Sequence, residues 1–174
     1  MTVSITLLRS LVEALRKRAK SLGKQLEEYI VEKVLEDADP RTRADAYVEL
    51  HQKYLNEAES PLKTGDIVQV SEKYWGAVAS LLNAIGELKG WPHYTLRDYS
   101  EIVKRLAEEE GIPELGKLFA VAGRLHANSY HGFIKSVFKE RLKVYREDIM
   151  RLLDILKKIL KRTRNAGGQS GTVR

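Results

Sequence analysis

The chain has 174 residues and a net charge of +6; 43% of the residues are hydrophobic and 31% are charged, enough for one ordinary domain with a buried core. The absence of cysteine excludes a disulfide framework, a thiol nucleophile and a cysteine-type zinc site. No apolar run approaches the roughly 20 residues that span a bilayer, and we see no signal-peptide stretch, so we expect a cytoplasmic protein without a membrane partner.

The first 38 residues are predicted to form a strand and two helices. Residues 3–7 alternate apolar and polar side chains, as a half-buried strand does. Ser10 and Glu13 have the spacing of a capping box at the start of the first helix. Gly23 has the position of a helix-ending residue, and a second helix follows from about residue 24 to residue 37.

This order of elements resembles a ribbon-helix-helix module, in which strands from two subunits pair and read the major groove of DNA. The outward residues of the strand would be Thr2, Ser4 and Thr6, none of which is basic. Dimerisation or packing against a bundle is therefore at least as strong an interpretation as the reading of DNA.

Much of the positive charge lies in two segments. The first helix has six cations near a single acid, Glu13, and the C-terminal region has five more: Arg9, Arg16, Lys17, Arg18, Lys20 and Lys24, then Lys157, Lys158, Lys161, Arg162 and Arg164. Such segments favour contact with RNA or DNA, and a solvated helix face is the alternative. The richness in Lys, Arg and Glu is also typical of thermophilic proteins.

Five further helices are predicted, at about residues 42–59, 66–89, 96–110, 113–133 and 139–161. We therefore predict an all-α fold: an up-and-down helical bundle of about five helices, preceded by the small strand-helix-helix segment. The predicted domains are residues 1–38, residues 42–161 and a disordered basic tail at residues 162–174.

The segment from Arg124 to His131 is the densest in side chains that can carry chemistry. Helical spacing of about 100° per residue turns His126 toward the core and Arg124, Asn128 and His131 toward solvent. An arginine and a histidine at this separation resemble the signature of HEPN-type ribonucleases. That resemblance implies that His131 acts as a general acid or base and that Arg124 stabilises the charged phosphorane, in a cleft between two subunits.

A second candidate group surrounds Glu72. Glu72, Gly76, Ala79 and Asn83 share one stripe of the predicted helix, where small residues allow close approach of another helix. Glu72 would then be partly buried, with His126, Lys73 or an arginine as its partner. Two interpretations stay open, a functional carboxylate and a structural pair between Glu72 and His126. Phosphate-loop, zinc-protease and serine-hydrolase motifs are absent, and we predict no metal and no cofactor.

Two motifs together resemble the archaeal PaREP family. They are Gly65-Asp66, Gln69 and residues 71–77, followed by residues 125–130. The resemblance covers about residues 42–160 and implies a HEPN-like bundle, self-association and a connection to nucleotides or nucleic acid. It also implies that a shared site centres on five side chains: Glu72, Lys73, His126, Asn128 and Tyr130.

Three functional hypotheses follow, and whether the protein is an enzyme stays open. The first is a homodimer or higher homo-oligomer that contacts RNA or DNA through basic surfaces. The second is a metal-independent HEPN-like ribonuclease of toxin type that uses Arg124 and His131. The third is a nucleotide or small-molecule pocket around Glu72, Trp75 and His126.

Overall fold

A computed structural model describes residues 4–59, 66–131 and 138–169, and seven α-helices form within these ranges. They are α1 (Arg9–Ser21), α2 (Leu26–Val34), α3 (Pro40–Glu59), α4 (Ile67–Lys89), α5 (Leu96–Glu110), α6 (Leu115–His131) and α7 (Phe138–Gln169). The all-α class is confirmed. The count of about five helices is wrong for the described residues, because α1 and α2 add to the five helices that follow residue 39.

The predicted N-terminal strand does not form. Residues 4–8 are irregular, and residue 3 lies outside the described residues. Alternation of apolar and polar residues is not enough for a strand, since a lone segment needs a second strand for its backbone hydrogen bonds. The ribbon part of the predicted N-terminal segment is therefore wrong for the described chain.

The chain divides into two compact units, Met1–Ala38 and Asp39–Arg174. In the first unit α1 packs against α2, and Gly23 joins them with a φ of 67°, in the left-handed region that favours glycine. The predicted capping box is wrong: α1 begins at Arg9, with Leu8 at the N-cap position and no side-chain cap. Ser10 therefore lies inside the helix.

The second unit is built around α4, which packs against α3, α5, α6 and α7. Every residue from Tyr74 to Glu87 is buried. Alanine, glycine and serine residues lie between the large apolar ones, so neighbouring helices can approach from several directions. A helix that is buried all round in this way forms the centre of a core.

The ends of the other helices follow from local signals. Thr95 and Asp98 form a capping box at the start of α5, and Gly111 ends that helix with a φ of 64°. The last helix, α7, continues to Gln169, so the predicted tail begins within it, and residues 170–174 lie outside the described residues. Within the described ranges, no helix has both the length and the apolar character needed to cross a membrane.

Candidate functional site

An aromatic cluster surrounds Trp75 on α4. The ring of His126 on α6 stacks on the indole, with centroids 4.3 Å apart and planes 26° from parallel. Tyr99 meets the indole edge-on at 5.9 Å, and Phe119 lies 6.1 Å from it. Trp75 is buried and His126 is half-buried, and burial lowers the pKa of His126. His126 is therefore a neutral ring at physiological pH.

Asn128 joins α6 to α4 one turn away from this stack. Its Nδ2 donates to the Ser71 hydroxyl oxygen at 3.1 Å, while its Oδ1 has no hydrogen-bond partner among the described residues. The side chain is only 1% exposed, so the prediction that Asn128 faces solvent is wrong. The buried stripe of α6 also includes Leu118 and Leu125, which moves its centre toward Asn128 and away from His126.

The side chains of Glu72, Lys73 and Trp75, which the sequence groups together, project from α4 toward different surroundings. The Lys73 ammonium pairs with Glu57 of α3 at 2.8 Å and lies 5.1 Å from the centroid of the Tyr54 ring. Trp75 instead contacts α5 and α6. Glu72 is exposed, so the prediction that it is partly buried is wrong. Because neighbouring helical residues project about 100° apart, α4 presents these side chains to different surroundings.

Arg124 and His131 are both exposed on α6, as their helical spacing predicts. They are seven residues apart, which places them on the same face with roughly 10 Å of helix rise between them. Arg124 Nη1 donates to the Tyr145 hydroxyl of α7 at 3.3 Å. The side chain of Tyr130 lies outside the described residues.

Sequence reasoning missed a buried ionic cluster between α3 and α4. Glu87 accepts from Arg43 Nε at 2.8 Å with one carboxylate oxygen and lies 3.0 Å from His93 Nε2 with the other. The second ring nitrogen of His93 lies 2.7 Å from the carbonyl oxygen of Trp91. Both ring nitrogens of His93 are therefore engaged by oxygen atoms, which fixes the orientation of the ring. Because 44 residues separate Arg43 from Glu87, no local spacing signals this cluster.

A second missed cluster joins α3, α4 and α7. Arg146 donates to both carboxylate oxygens of Glu59, at 3.1 and 3.2 Å, and the Tyr74 hydroxyl donates to the same carboxylate at 2.7 Å. Although burial opposes it, these hydrogen bonds hold the pKa of Glu59 below its usual value, while burial and Glu59 raise the pKa of Tyr74. The cluster is a structural clamp of the kind that charge-assisted bonds form.

The two predicted basic segments differ in how their charges are used. On α1, Arg9 pairs with Glu13, whereas four exposed cations have no ion-pair partner among the residues the structure describes: Arg16, Lys17, Arg18 and Lys20. On α7, Arg162 pairs with Glu110 at 2.5 Å and Arg164 with Asp45 at 2.5 Å. Part of the C-terminal charge therefore serves to hold the bundle together.

No group of three or more His, Asp and Glu side chains within the described ranges is placed to hold a metal ion.

Comparison with known protein families identifies a match for this chain. The model of a family described as the archaeal PaREP1/PaREP8 family matches residues 46–153. No curated protein and no solved structure matches the chain. The matched range contains most of α3, all of α4, α5 and α6, and the first half of α7, so it includes the aromatic cluster and both ionic clusters except for Arg43. It leaves α1 outside.

Proposed function

The chain belongs to the archaeal PaREP1/PaREP8 family, and from that premise we propose that it is a self-associating helical protein that contacts RNA or DNA through α1. The observation that carries this proposal is the set of exposed cations on α1 that have no acidic partner among the described residues. Phosphate groups would supply the missing counter-charge, and release of the ions condensed on the nucleic acid would drive binding.

The arrangement of cations along α1 supports the proposal, and it includes Arg9, whose partner Glu13 is itself exposed on the same helix. Arg9, Arg16 and Lys20 are separated by seven and four residues, which places them within about 40° of one another on α1. They extend over roughly 16 Å of helix, a length comparable with about five phosphates of one DNA strand. Since no base-reading pattern accompanies them, we expect binding that depends weakly on sequence.

The C-terminal cations are the weaker candidate because two of them are already paired within the second unit. Arg162 and Arg164 each contact a carboxylate of another helix. Binding phosphate through these guanidinium groups would require those bonds to break. This difference favours α1 as the surface that contacts nucleic acid.

The test is the salt dependence of binding to a labelled RNA and to a labelled duplex DNA, measured by fluorescence anisotropy. The variant Arg16→Gln/Lys17→Gln/Lys20→Gln should weaken binding and lower the slope of log K against log salt by roughly 2 to 3 for duplex DNA, since each phosphate contact contributes about 0.9.

The matched control is Lys157→Gln/Lys158→Gln/Lys161→Gln, which removes the same charge from α7 and should change the slope much less. An unchanged slope in the α1 variant, together with a reduced slope in the α7 variant, would reject the assignment to α1.

A second candidate function is the metal-independent ribonuclease with Arg124 and His131. The observation that favours it is the exposure of both side chains on one face of α6. Labelled RNA incubated with the protein in EDTA should then be cut, and His131→Ala should abolish cutting while the helical content is retained. Intact RNA after incubation with the unmodified protein would exclude this function.

The third candidate, a nucleotide or small-molecule pocket around Glu72, Trp75 and His126, stays a prediction. The stacked rings of Trp75 and His126 would offer a surface for a nucleobase only if the half-buried face of His126 became accessible. A shift in melting temperature on addition of ATP or GTP, lost in Trp75→Leu, would support it.

A further inference from the structure

Exposed apolar side chains are concentrated at the N-terminal end of the chain. Of the ten large hydrophobic side chains that are exposed in the described residues, six lie between Ile5 and Val34. Three of them lie in α1 or at its two ends: Leu8 is 76% exposed, and Leu11 and Leu22 are each 45% exposed. Stable single-chain proteins rarely leave such a group of side chains in water, so the group indicates an interaction surface.

On α1 these side chains lie along one edge of the helix. Leu8, Leu11 and Leu22 fall within about 60° of one another around the helix axis, with the half-buried Leu15 between them and the exposed Arg18 next to the stripe between Leu15 and Leu22. We call these four residues the leucine edge. Spacings of three, four and seven residues are those of a seam between two packed helices. The edge extends over roughly 21 Å, long enough for a helix-to-helix contact.

We propose that a second copy of this chain covers the leucine edge, so that the α1 helices of two copies pack against each other. This inference rests on the proposed function only in its self-association part. The cations Arg9, Arg16 and Lys20 lie on nearly the opposite side of α1. Pairing through the leucine edge therefore turns these three cations outward, where phosphates can reach them. Arg18 lies beside the edge, and its long side chain has to extend past the contact so that its guanidinium stays in water.

The area of the surface is sufficient for such a dimer. Ile5, Leu7 and the exposed leucines of the edge together leave on the order of 500 Å² of apolar surface in water per copy. Two copies would bury on the order of 1,000 Å², the size at which a specific interface becomes credible before polar contacts are added.

A lipid surface suits the leucine edge less well. Helices that lie on membranes insert their whole apolar face, whereas α1 already packs against α2 and buries Ala19, which lies on the same apolar side. Binding to lipid vesicles is therefore measured as the alternative result of the experiments below.

The first experiment measures the molar mass of the full chain by gel filtration with light scattering over a range of concentrations, without nucleic acid. The unmodified protein should be a dimer, and Leu8→Gln/Leu11→Gln should weaken association at least about tenfold, since each substitution counts in both copies. Glutamine keeps the charge and the helix propensity of α1. The matched control is Leu96→Gln, which changes a leucine that is 50% exposed on α5 and should leave the dimer unchanged.

A second measurement follows the geometry of the contact directly. The chain has no cysteine, so Leu11→Cys and Leu96→Cys each accept a single spin label. Electron-spin distance measurements should give a short intermolecular distance at position 11, because packed helices are roughly 8–10 Å apart, and a longer or absent one at position 96.

The outcomes separate the proposals. A dimer that survives Leu8→Gln/Leu11→Gln and shows no short distance at position 11 overturns this inference and leaves self-association standing. If the unmodified protein is a monomer, both the α1 contact and the proposed self-association are rejected. A monomer that sediments with vesicles of phosphatidylcholine and phosphatidylserine, and loses this property in the same variant, overturns the inference in favour of a membrane surface. Binding of RNA or DNA is measured apart, with the α1 charge variant.

Discussion

His51 is the most buried histidine among the described residues, and its surroundings determine which ring nitrogen carries the proton. Its Nδ1 lies 3.0 Å from the carbonyl oxygen of Ala77 and must therefore carry the proton. The Nε2 atom is buried with no hydrogen-bond partner among the described residues. Burial lowers the pKa of His51, the bond to Ala77 opposes this, and the charge of Lys157 lowers the pKa further. Charging this ring in the folded protein is unfavourable.

We therefore expect the free energy of unfolding to fall on mild acidification. The unfolded chain takes up a proton near the ordinary histidine pKa of 6.5 and the folded chain only at lower pH, so stability is full above about pH 7.5 and decreases as the pH drops through 6.5. Urea unfolding at pH 7.5 and at pH 5.5 measures the difference. His51→Asn, whose amide can replace Nδ1 as a donor, should reduce it.

The control for this pH dependence is His131→Asn, which changes an exposed ring and should keep the full decrease. His126 contributes in the same direction because burial also lowers its pKa. The double variant His51→Asn/His126→Asn should therefore show the smallest decrease. If the free energy of unfolding falls equally in the unmodified protein and in this double variant, the pH dependence does not come from His51 and His126.

Two helical glycines predict opposite effects of the same substitution. A Cβ at Gly86 would lie 2.7 Å from His93 Cβ, and the His93 ring cannot move easily because both its nitrogens are engaged. Gly86→Ala should therefore lower the free energy of unfolding by about 1–3 kcal/mol. At Gly123 a Cβ would meet nothing within 4 Å, so Gly123→Ala should raise it by about 0.5–1 kcal/mol. Urea titration of both variants checks the signs.

At the scale of the elements, local signals gave most of the helix ends. The range predicted for the fifth helix, residues 96–110, coincides with α5 because Thr95 and Gly111 mark its ends with side-chain and backbone chemistry. The predicted start of α1 is wrong because Ser10 has the spacing of a cap, whereas the helix begins one residue earlier, at Arg9, without a side-chain cap. A capping residue in the sequence locates the start of a helix only when its side chain actually makes the capping hydrogen bond, as at α5 but not at α1.

The candidate site was less predictable because it depends on which side of each helix meets a neighbour. The stacking of His126 on Trp75 joins residues 51 positions apart, and the inward position of Asn128 depends on where α4 lies. Periodicity gives the width of an apolar stripe but not its centre to within one residue. That error of about 100° per residue is what separated the predicted from the observed orientation of Asn128.

The cluster of Arg43, Glu87 and His93 connects α3, α4 and the turn before α5, so its loss should be felt by the whole second unit. Removing the carboxylate leaves the buried His93 ring without its partner, and Glu87→Ala should lower the free energy of unfolding by about 3 kcal/mol. The control is Glu109→Ala, which breaks the more exposed pair with Lys89 and should cost less than about 1 kcal/mol. If the free energy of unfolding falls by a similar amount in the two variants, the buried cluster stabilises the fold no more than an exposed ion pair does.

At the scale of the whole molecule, the division at Ala38 and Asp39 separates two kinds of surface. The second unit has its own core around α4, and the family match lies entirely inside it. The first unit carries the exposed cations of α1 and six of the ten exposed large apolar side chains. The buried core that stabilises the fold thus lies in the second unit, whereas the first unit carries the exposed charged and apolar side chains that suit interaction.

This division leads to a prediction for the fragment of residues 39–174. Because α4 is enclosed by helices of its own unit, the fragment should fold alone, with a helical spectrum and a cooperative urea transition close in midpoint to that of the full chain. Because it lacks α1, it should be monomeric and should bind RNA and duplex DNA much more weakly at low salt. A fragment that fails to fold would show that the core needs residues 1–38, and a folded fragment that still dimerises and binds would move both interaction surfaces into the bundle.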